Sequence, residues 1–342
     1  MRRMLFFLIL LCCILGLTYP AMAKDFIYAP VLNNLQIVDC DTDTVVKTIP
    51  YDDYIVNACF SPDGKRYYMN SWRNIYVVDT DRQELIDTYK FFTELTRVTL
   101  MIGMTVSQDN NTLYLNTTVA KKKLNVPRLT IVPPQIWAFD VNKKQVVKTW
   151  DVPYCATGLF TIRNDPNSMI VWDQDIHKLN LSTGKMEKVM GVLRPEPGQP
   201  GLNSLVVWVN NSPGDHGIFV NAAYTAEDLY YVLLDTNTGE VQPLVKGEEV
   251  VMIYSGVVSP DKKYIYAGMD EVYKIDAKTG KHLGMSVINQ GTCYGFNITS
   301  DGKKVYTGPG GADLTVYDTA TMKEIGVIPL KGDGLVAHRL TK

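Results

Sequence analysis

Lys274-Ile-Asp-Ala-Lys-Thr-Gly280 decides how this chain is read. An apolar β-forming run stops on an aspartate, whose carboxylate caps the turn that follows, and a glycine supplies the positive φ that such a turn requires. The phrase recurs at Ile37-Val-Asp39, Val77-Val-Asp79, Ala138-Phe-Asp140, Lys178-Leu-Asn180, Leu233-Leu-Asp235 and Val316-Tyr-Asp318, seven copies in all. Four of the six intervals between the Asp or Asn markers are 40 to 42 residues; those ending at Asp140 and Asp235 are 61 and 55. A strand-only repeat of about 40–45 residues is the signature of a propeller blade. The chain is therefore expected to be all-β, a seven-bladed β-propeller of four-stranded blades.

A second turn phrase precedes each hairpin: Ser61-Pro-Asp-Gly64, Ser107-Gln-Asp-Asn110, Arg163-Asn-Asp-Pro166, Ser212-Pro-Gly-Asp215, Ser259-Pro-Asp-Lys262 and Ser300-Asp-Gly302. It occurs six times, and the missing copy belongs to the first unit, which starts directly at Phe26-Ile-Tyr-Ala29. The chain ends instead on an orphan strand, Leu335-Val-Ala-His-Arg-Leu340. This strand is expected to become the innermost strand of the first blade, closing the ring and removing exposed sheet edges.

Residues 1–23 read as a signal peptide: Arg2 and Arg3, an apolar run from Leu5 to Leu17 too short for a comfortable membrane span, and a small-residue cleavage pattern at Ala21-Met-Ala23. Cleavage after Ala23 and a bacterial periplasmic address are the expectation, with residues 24–342 forming a single propeller domain. Cys12 and Cys13 lack the small residues that precede a lipid-modified cysteine, so no membrane anchor is expected. A net charge of −2 with both signs dispersed gives no footprint for nucleic acid. Lys121-Lys-Lys123 reads as a solvated loop. Cys40, Cys59, Cys155 and Cys293 fall in different repeats, which leaves buried free thiols and a disulfide both open.

The two long intervals contain four insertions: Tyr89 to Met101, Thr118 to Gln135, Leu193 to Asn203 and Tyr224 to Asp228. With strands running outward from the axis, the first and third join the outer strand of one blade to the inner strand of the next. The second and fourth join second to third strands. Antiparallel strands alternate direction, so all four are expected on one face. Long loops on a rigid scaffold are where binding resides. Phe91, Phe92, Leu95, Arg128, Ile131, Pro133, Pro195 and Pro200 are the candidate partner contacts, since aromatics and arginine anchor interfaces and proline-rich loops lose less entropy on binding.

Catalytic and metal motifs give little. His177, His216, His282 and His338 show no ligand spacing; His338, on the inner strand, is read as a hydrogen-bonded structural histidine. Asp39-x-Asp41-x-Asp43 starts like a calcium loop, but Thr44 and Pro50 stand where Gly and Glu are needed. Gly332-Asp-Gly334-Leu-Val-Ala337 has no βαβ context for a dinucleotide.

Phe26-Ile-Tyr-Ala-Pro30, Ser61-Pro-Asp-Gly64, Pro127-Arg-Leu129, Gln135-Ile-Trp-Ala-Phe-Asp140 and Thr307-Gly-Pro-Gly-Gly-Ala-Asp-Leu-Thr-Val-Tyr-Asp318 together give a chain that resembles the β subunit of quinohemoprotein amine dehydrogenase. Ala312 stands where that family's stretch has a second glycine. The resemblance implies a periplasmic heterotrimer with a cofactor-free propeller, a larger α subunit carrying c-type haem and a small γ subunit carrying a tryptophan-derived quinone. The propeller's work would be to hold the small subunit and wall the amine pocket; the family's catalytic groups lie on the small subunit, so none transfers here. The chain has no Cys-x-x-Cys-His haem site of its own. Two other readings stand beside it: a free-standing periplasmic propeller that binds a ligand or protein without redox work, and a propeller hydrolase or lactonase using acidic residues around the channel.

Overall fold

The computed structural model describes residues 23–152, 156–172, 174–204, 207, 216–289, 291–308 and 310–342. Residues 1–22, which hold most of the expected signal peptide 1–23, Cys155 and the turn phrase 212–215 lie outside the described residues. Seven four-stranded antiparallel sheets form the ring, with the inner strands of successive blades in contact. Blade 6 shows the plan. Its strands Ser255–Val258, Tyr264–Gly268, Glu271–Asp276 and His282–Val287 run from axis to rim. Burial is nearly complete on the inner two and alternates on the outermost, which has blade on one side and solvent on the other. In blade 5 the described strands are Ile218–Tyr224, Leu229–Asp235 and an outer position divided between Glu240–Val241 and Val245–Lys246, both paired with Leu229–Asp235.

The two recurring phrases form the turns expected of them, and on the same end of the ring. Asp276 Oδ1 accepts the Lys278 and Thr279 N–H groups at 3.0 and 2.8 Å, and Gly280 follows at φ +71°. Asn180 and Asp235 work alike, with Gly184 and Gly239. Where glycine is absent the backbone is still left-handed: Asp43, Gln83, Lys144 and Met322 have φ of 52°, 53°, 53° and 57°. The second phrase is a side-chain relay. Ser61 Oγ donates to Asp63 Oδ1 at 2.6 Å and accepts from Arg66 N–H, and Ser259 with Asp261 repeats the arrangement.

The ring closes as expected. His338–Thr341 is the innermost strand of blade 1 and pairs antiparallel with Asp25–Val31, placing Tyr28 opposite His338 and Asp25 opposite Thr341. The strand begins three residues later than the sequence suggested, because Gly334 first makes an isolated bridge to Val31. Asp25 fastens the closure. Its Oδ1 accepts from Arg339 Nη1 at 2.7 Å and Thr341 Oγ1 at 2.6 Å, and its Oδ2 from Ser300 N–H of blade 7 at 2.6 Å. Burial disfavours this charge, but the Thr341 and Ser300 hydrogen bonds and the Arg339 guanidinium outweigh it and hold the carboxyl below the usual carboxylate range. Among the described residues neighbouring inner strands share no ladder, and asparagine amides bridge them instead: Asn57 to Ile102 O at 2.5 Å and Asn297 to Ala337 O at 3.0 Å.

Blade 3 departs from the plan. Its strands Thr96–Val106, Thr112–Lys122 and Leu129–Asp140 have 11, 11 and 12 residues. The outer strand Gln145–Asp151 stops at the Gln135–Asp151 pair, and the other three continue alone as an arm. Most of the first two insertions, expected as loops, are therefore strand. The alternating, β-branched runs Thr96-Arg-Val-Thr-Leu100, Thr117-Thr-Val-Ala120 and Leu129-Thr-Ile-Val132 outweigh the prolines. Pro133 and Pro134 are accommodated at a register shift between Val132 and Gln135, where the outer strand ends and Val152 N–H donates to Pro134 O at 3.2 Å.

Candidate interaction face

The second-to-third and outer-to-inner connections of every blade emerge together, so the arm, 190–203 and 224–229 share one face. Among the described residues, 20 large hydrophobic side chains are exposed. Nine sit on outer strands at the rim, and the other eleven all lie on the insertion-bearing face; the turn-phrase face has none. Residues at this face include Leu32, Trp72, Phe92, Leu95, Leu193 and Met252 in addition to the arm. Exposed apolar groups gathered on one side mark an interaction surface, whereas single ones scattered over a surface need no explanation.

Most of the contacts expected from sequence lie on this surface. Phe92 is 49% exposed and Ile131 64%, and Leu95, Arg128, Pro133 and Pro200 are exposed as well. Pro195 is half-buried. Phe91 turns inward, with its ring centroid 5.2 Å from Phe139 in a T-shaped contact and 6.4 Å from Trp137. It supports the base of the arm, a packing role that the outward-facing Phe92 leaves to it. Leu95 is fixed through its carbonyl, which accepts the Lys122 N–H at 2.8 Å.

Trp72 was not singled out by sequence. It sits between the second and third strands of blade 2 at φ +70°, a conformation that is unfavourable for a bulky side chain. Asn70 Oδ1 accepts its N–H at 2.9 Å, and its carbonyl accepts from Leu100 N–H at the arm's base at 2.8 Å. Strain held in place by such contacts while the indole stays exposed is typical of a functional position. An aromatic in a two-residue turn is the signal that could have found it.

The third and fourth insertions are tied together. Asn203 and Tyr224 exchange backbone hydrogen bonds at 2.8 and 2.9 Å. Beside them lies a shallow cavity of about 380 Å³ lined by Gly201, Asn203, Tyr224, Thr225, Ala226 and Met252. Buried Asp175 accepts the Val192 and Arg194 N–H groups at 2.8 and 3.0 Å, which shapes the start of the third insertion.

The largest cavity among those described, about 490 Å³, opens at the other end of the channel, where the inner strands of blades 1 to 4 run into the turn-phrase face. Phe60, Phe160, Gln108, Arg163 and His338 contribute to its wall. His338 is the structural histidine expected: it is buried, and its Nδ1 lies 2.9 Å from the Tyr67 hydroxyl. Cys59 also lines the cavity, and burial pushes its thiol up to about 12, so it is not a thiolate nucleophile at neutral pH. Cys40 and Cys293 are free, buried and pushed up to about 12 in the same way. No group of three His, Cys, Asp or Glu suited to a metal ion occurs among the described residues. No helix there is long and apolar enough to cross a membrane.

No protein-family model matches this sequence, and no curated protein matches it significantly. Solved structures do. A functionally unknown protein from Desulfotomaculum acetoxidans aligns over 93% of this chain and 98% of its own, with TM-score 0.62 and 11% identity. Hydrazine synthase of Kuenenia stuttgartiensis aligns over 84% of this chain and 90% of its own, with TM-score 0.56 and 16% identity. The dihydro-heme d1 dehydrogenase NirN, solved in complex with DHE, aligns over 90% of this chain and 73% of its own, with TM-score 0.55 and 16% identity. At these identities the likeness is one of fold.

Proposed function

We propose that this chain is a non-catalytic docking subunit of a redox assembly, and more finely the β-propeller subunit of a periplasmic quinohemoprotein amine dehydrogenase. One observation carries the docking role: among the described residues, every exposed large apolar side chain that is not on the rim lies on the insertion-bearing face. The finer assignment rests on the sequence resemblance at Pro127-Arg-Leu129, Gln135 to Asp140 and Thr307 to Asp318. The company of a dehydrogenase, NirN, among the structures of similar fold agrees with it.

On this reading the chain is exported and cleaved after Ala23. The ladder of blade 1 begins at the next residue, where Lys24 and Lys342 exchange backbone hydrogen bonds at 2.6 and 2.8 Å. The small γ subunit and the haem-bearing α subunit supply the tryptophan-derived quinone and c-type haem, which together oxidise a primary amine to aldehyde and ammonia and carry off the electrons. This chain's part is mechanical and electrostatic. Phe92, Leu95 and Ile131 give an apolar seat that excludes water, Arg128 offers a bidentate donor, and the rigid ring fixes the partner's orientation.

Affinity purification from the native host under amine-supplied growth, with mass spectrometry and a haem stain, tests the reading. A haem protein and a small cross-linked polypeptide should accompany the chain. Replacing Phe92 and Arg128 together with Ala should reduce their recovery about tenfold or more while the melting curve is unchanged, since a few such anchors dominate an interface. Undiminished recovery would remove the contact from these residues. A chain that comes down alone would make it a free-standing binding propeller.

A further inference from the structure

We propose that the tip of the blade 3 arm, Lys121 to Val126, docks on an anionic lipid bilayer, next to the seat proposed for the protein partner. Beyond the Thr117–Gln135 pair the arm runs five residues to Lys122 with no outer strand beside it, a projection of about 17 Å at about 3.3 Å per residue. From Thr117 to Pro134 there is no Asp or Glu, and from Phe91 to Leu100 Glu94 is the one carboxylate, against the cations Arg97, Lys121, Lys122, Lys123 and Arg128. Among the described residues, none of these five cations is in an ion pair. Between them lie Leu124, at 78% the most exposed of the large hydrophobic side chains, and Val126 at 47%.

The register shows how these groups are arranged. Residues directly opposite one another share a face, so Thr96, Lys121 and Thr130 lie on the same side as the Val98, Val119 and Val132 row that packs into the ring. Arg97, Ala120 and Ile131 lie on the other side, as do Lys122 and Leu129. Lys123 and Arg128 flank the end turn, which is closed by Val126 N–H donating to Lys123 O at 3.2 Å. Cations thus surround an apolar tip on both faces of the sheet. A protein surface laid against the arm would engage one face and leave the other's lysine in water. A bilayer that takes in Leu124 and Val126 meets both faces at once, with the ammonium groups at phosphate level and their methylene stems below.

Flotation of the purified protein with vesicles tests this. Wild type should float with 1:1 phosphatidylglycerol–phosphatidylcholine vesicles, remain below with pure phosphatidylcholine, and lose binding as NaCl is raised. The triple variant Lys121→Ala, Lys122→Ala, Lys123→Ala should partition on the order of 100-fold more weakly. Leu124→Ser should be roughly tenfold weaker with its salt dependence kept. All these positions are exposed, and unchanged thermal melts would show that the variants fold. The proposal is overturned if wild type does not float with the anionic vesicles, if the triple variant floats equally, or if immobilised polyglutamate retains the protein while the anionic vesicles do not. The last result would make the arm a contact for an acidic protein. The substituted positions 121 to 124 are not among the residues proposed for the partner contact, so these outcomes and the haem-protein copurification are read separately.

Discussion

The two ends of the ring are made from the same seven repeats and are chemically unlike. On the turn-phrase face, carboxylates and hydroxyls are spent on their own backbone, as at Asp276, Ser61 and Ser259, and no large apolar side chain is exposed among the described residues. On the other face the connections follow no common phrase, and eleven such side chains are exposed. The difference teaches where the repeat constrains the chain. Turns needed to close each hairpin pair are held to one solution, and the remaining connections are free to lengthen and take on contacts.

Three substitutions would break or sharpen this contrast. The largest effect is expected at the closure on the turn-phrase end, where Asp25→Asn should cost about 3–5 kcal/mol in urea unfolding, because it removes the buried charge on which Arg339 Nη1, Thr341 Oγ1 and Ser300 N–H converge. The folded pKa of Asp25 is lowered, so its stabilisation is present above the ordinary carboxylate range and is lost as pH falls through the folded value. The difference between wild type and variant should therefore shrink as the pH is taken below about 4. If the loss instead persists undiminished in acid, the clasp is not electrostatic. Next, Trp72→Gly relieves a left-handed tryptophan at the insertion face. It should leave stability within about 1 kcal/mol of wild type while reducing partner recovery several-fold. Equal recovery would make the exposed indole incidental. The smallest effect belongs to Gln83→Gly, the same backbone relief at the opposite end. A gain of about 1 kcal/mol with recovery unaltered is expected there, and a drop in recovery would put the turn-phrase face into the interface.

The propeller was legible because its information is local and repeated: an apolar strand ending on an aspartate or asparagine and a turn, seven times over, with a glycine closing the turn in three of them. Ring closure was legible by subtraction, one turn phrase missing at the start and one strand spare at the end. The arm was not, because in a local reading three lysines and three prolines signal a loop and mask the strand alternation of Thr96 to Leu100 and Thr117 to Ala120. Phe91 and Phe92 show the limit at the candidate face. Adjacent aromatics on an extended segment point opposite ways, and only the position of Phe139 and Trp137 decides which is spent on packing. The Asp25–Arg339 pair was out of reach of any local reading, its members being 314 residues apart.

That separation has a kinetic consequence. The Asp25–Thr341 contact joins residues 316 positions apart, so blade 1 cannot be completed until almost the whole chain is available. Until then Asp25–Val31 offers a bare strand edge that any other extended segment can occupy. Blades 2 to 7 are each made from contiguous sequence and can form in turn. The last event of folding is then the return of His338–Thr341 to the first strand. A chain shortened by those four residues would carry a permanent open edge and should assemble end to end with its own kind.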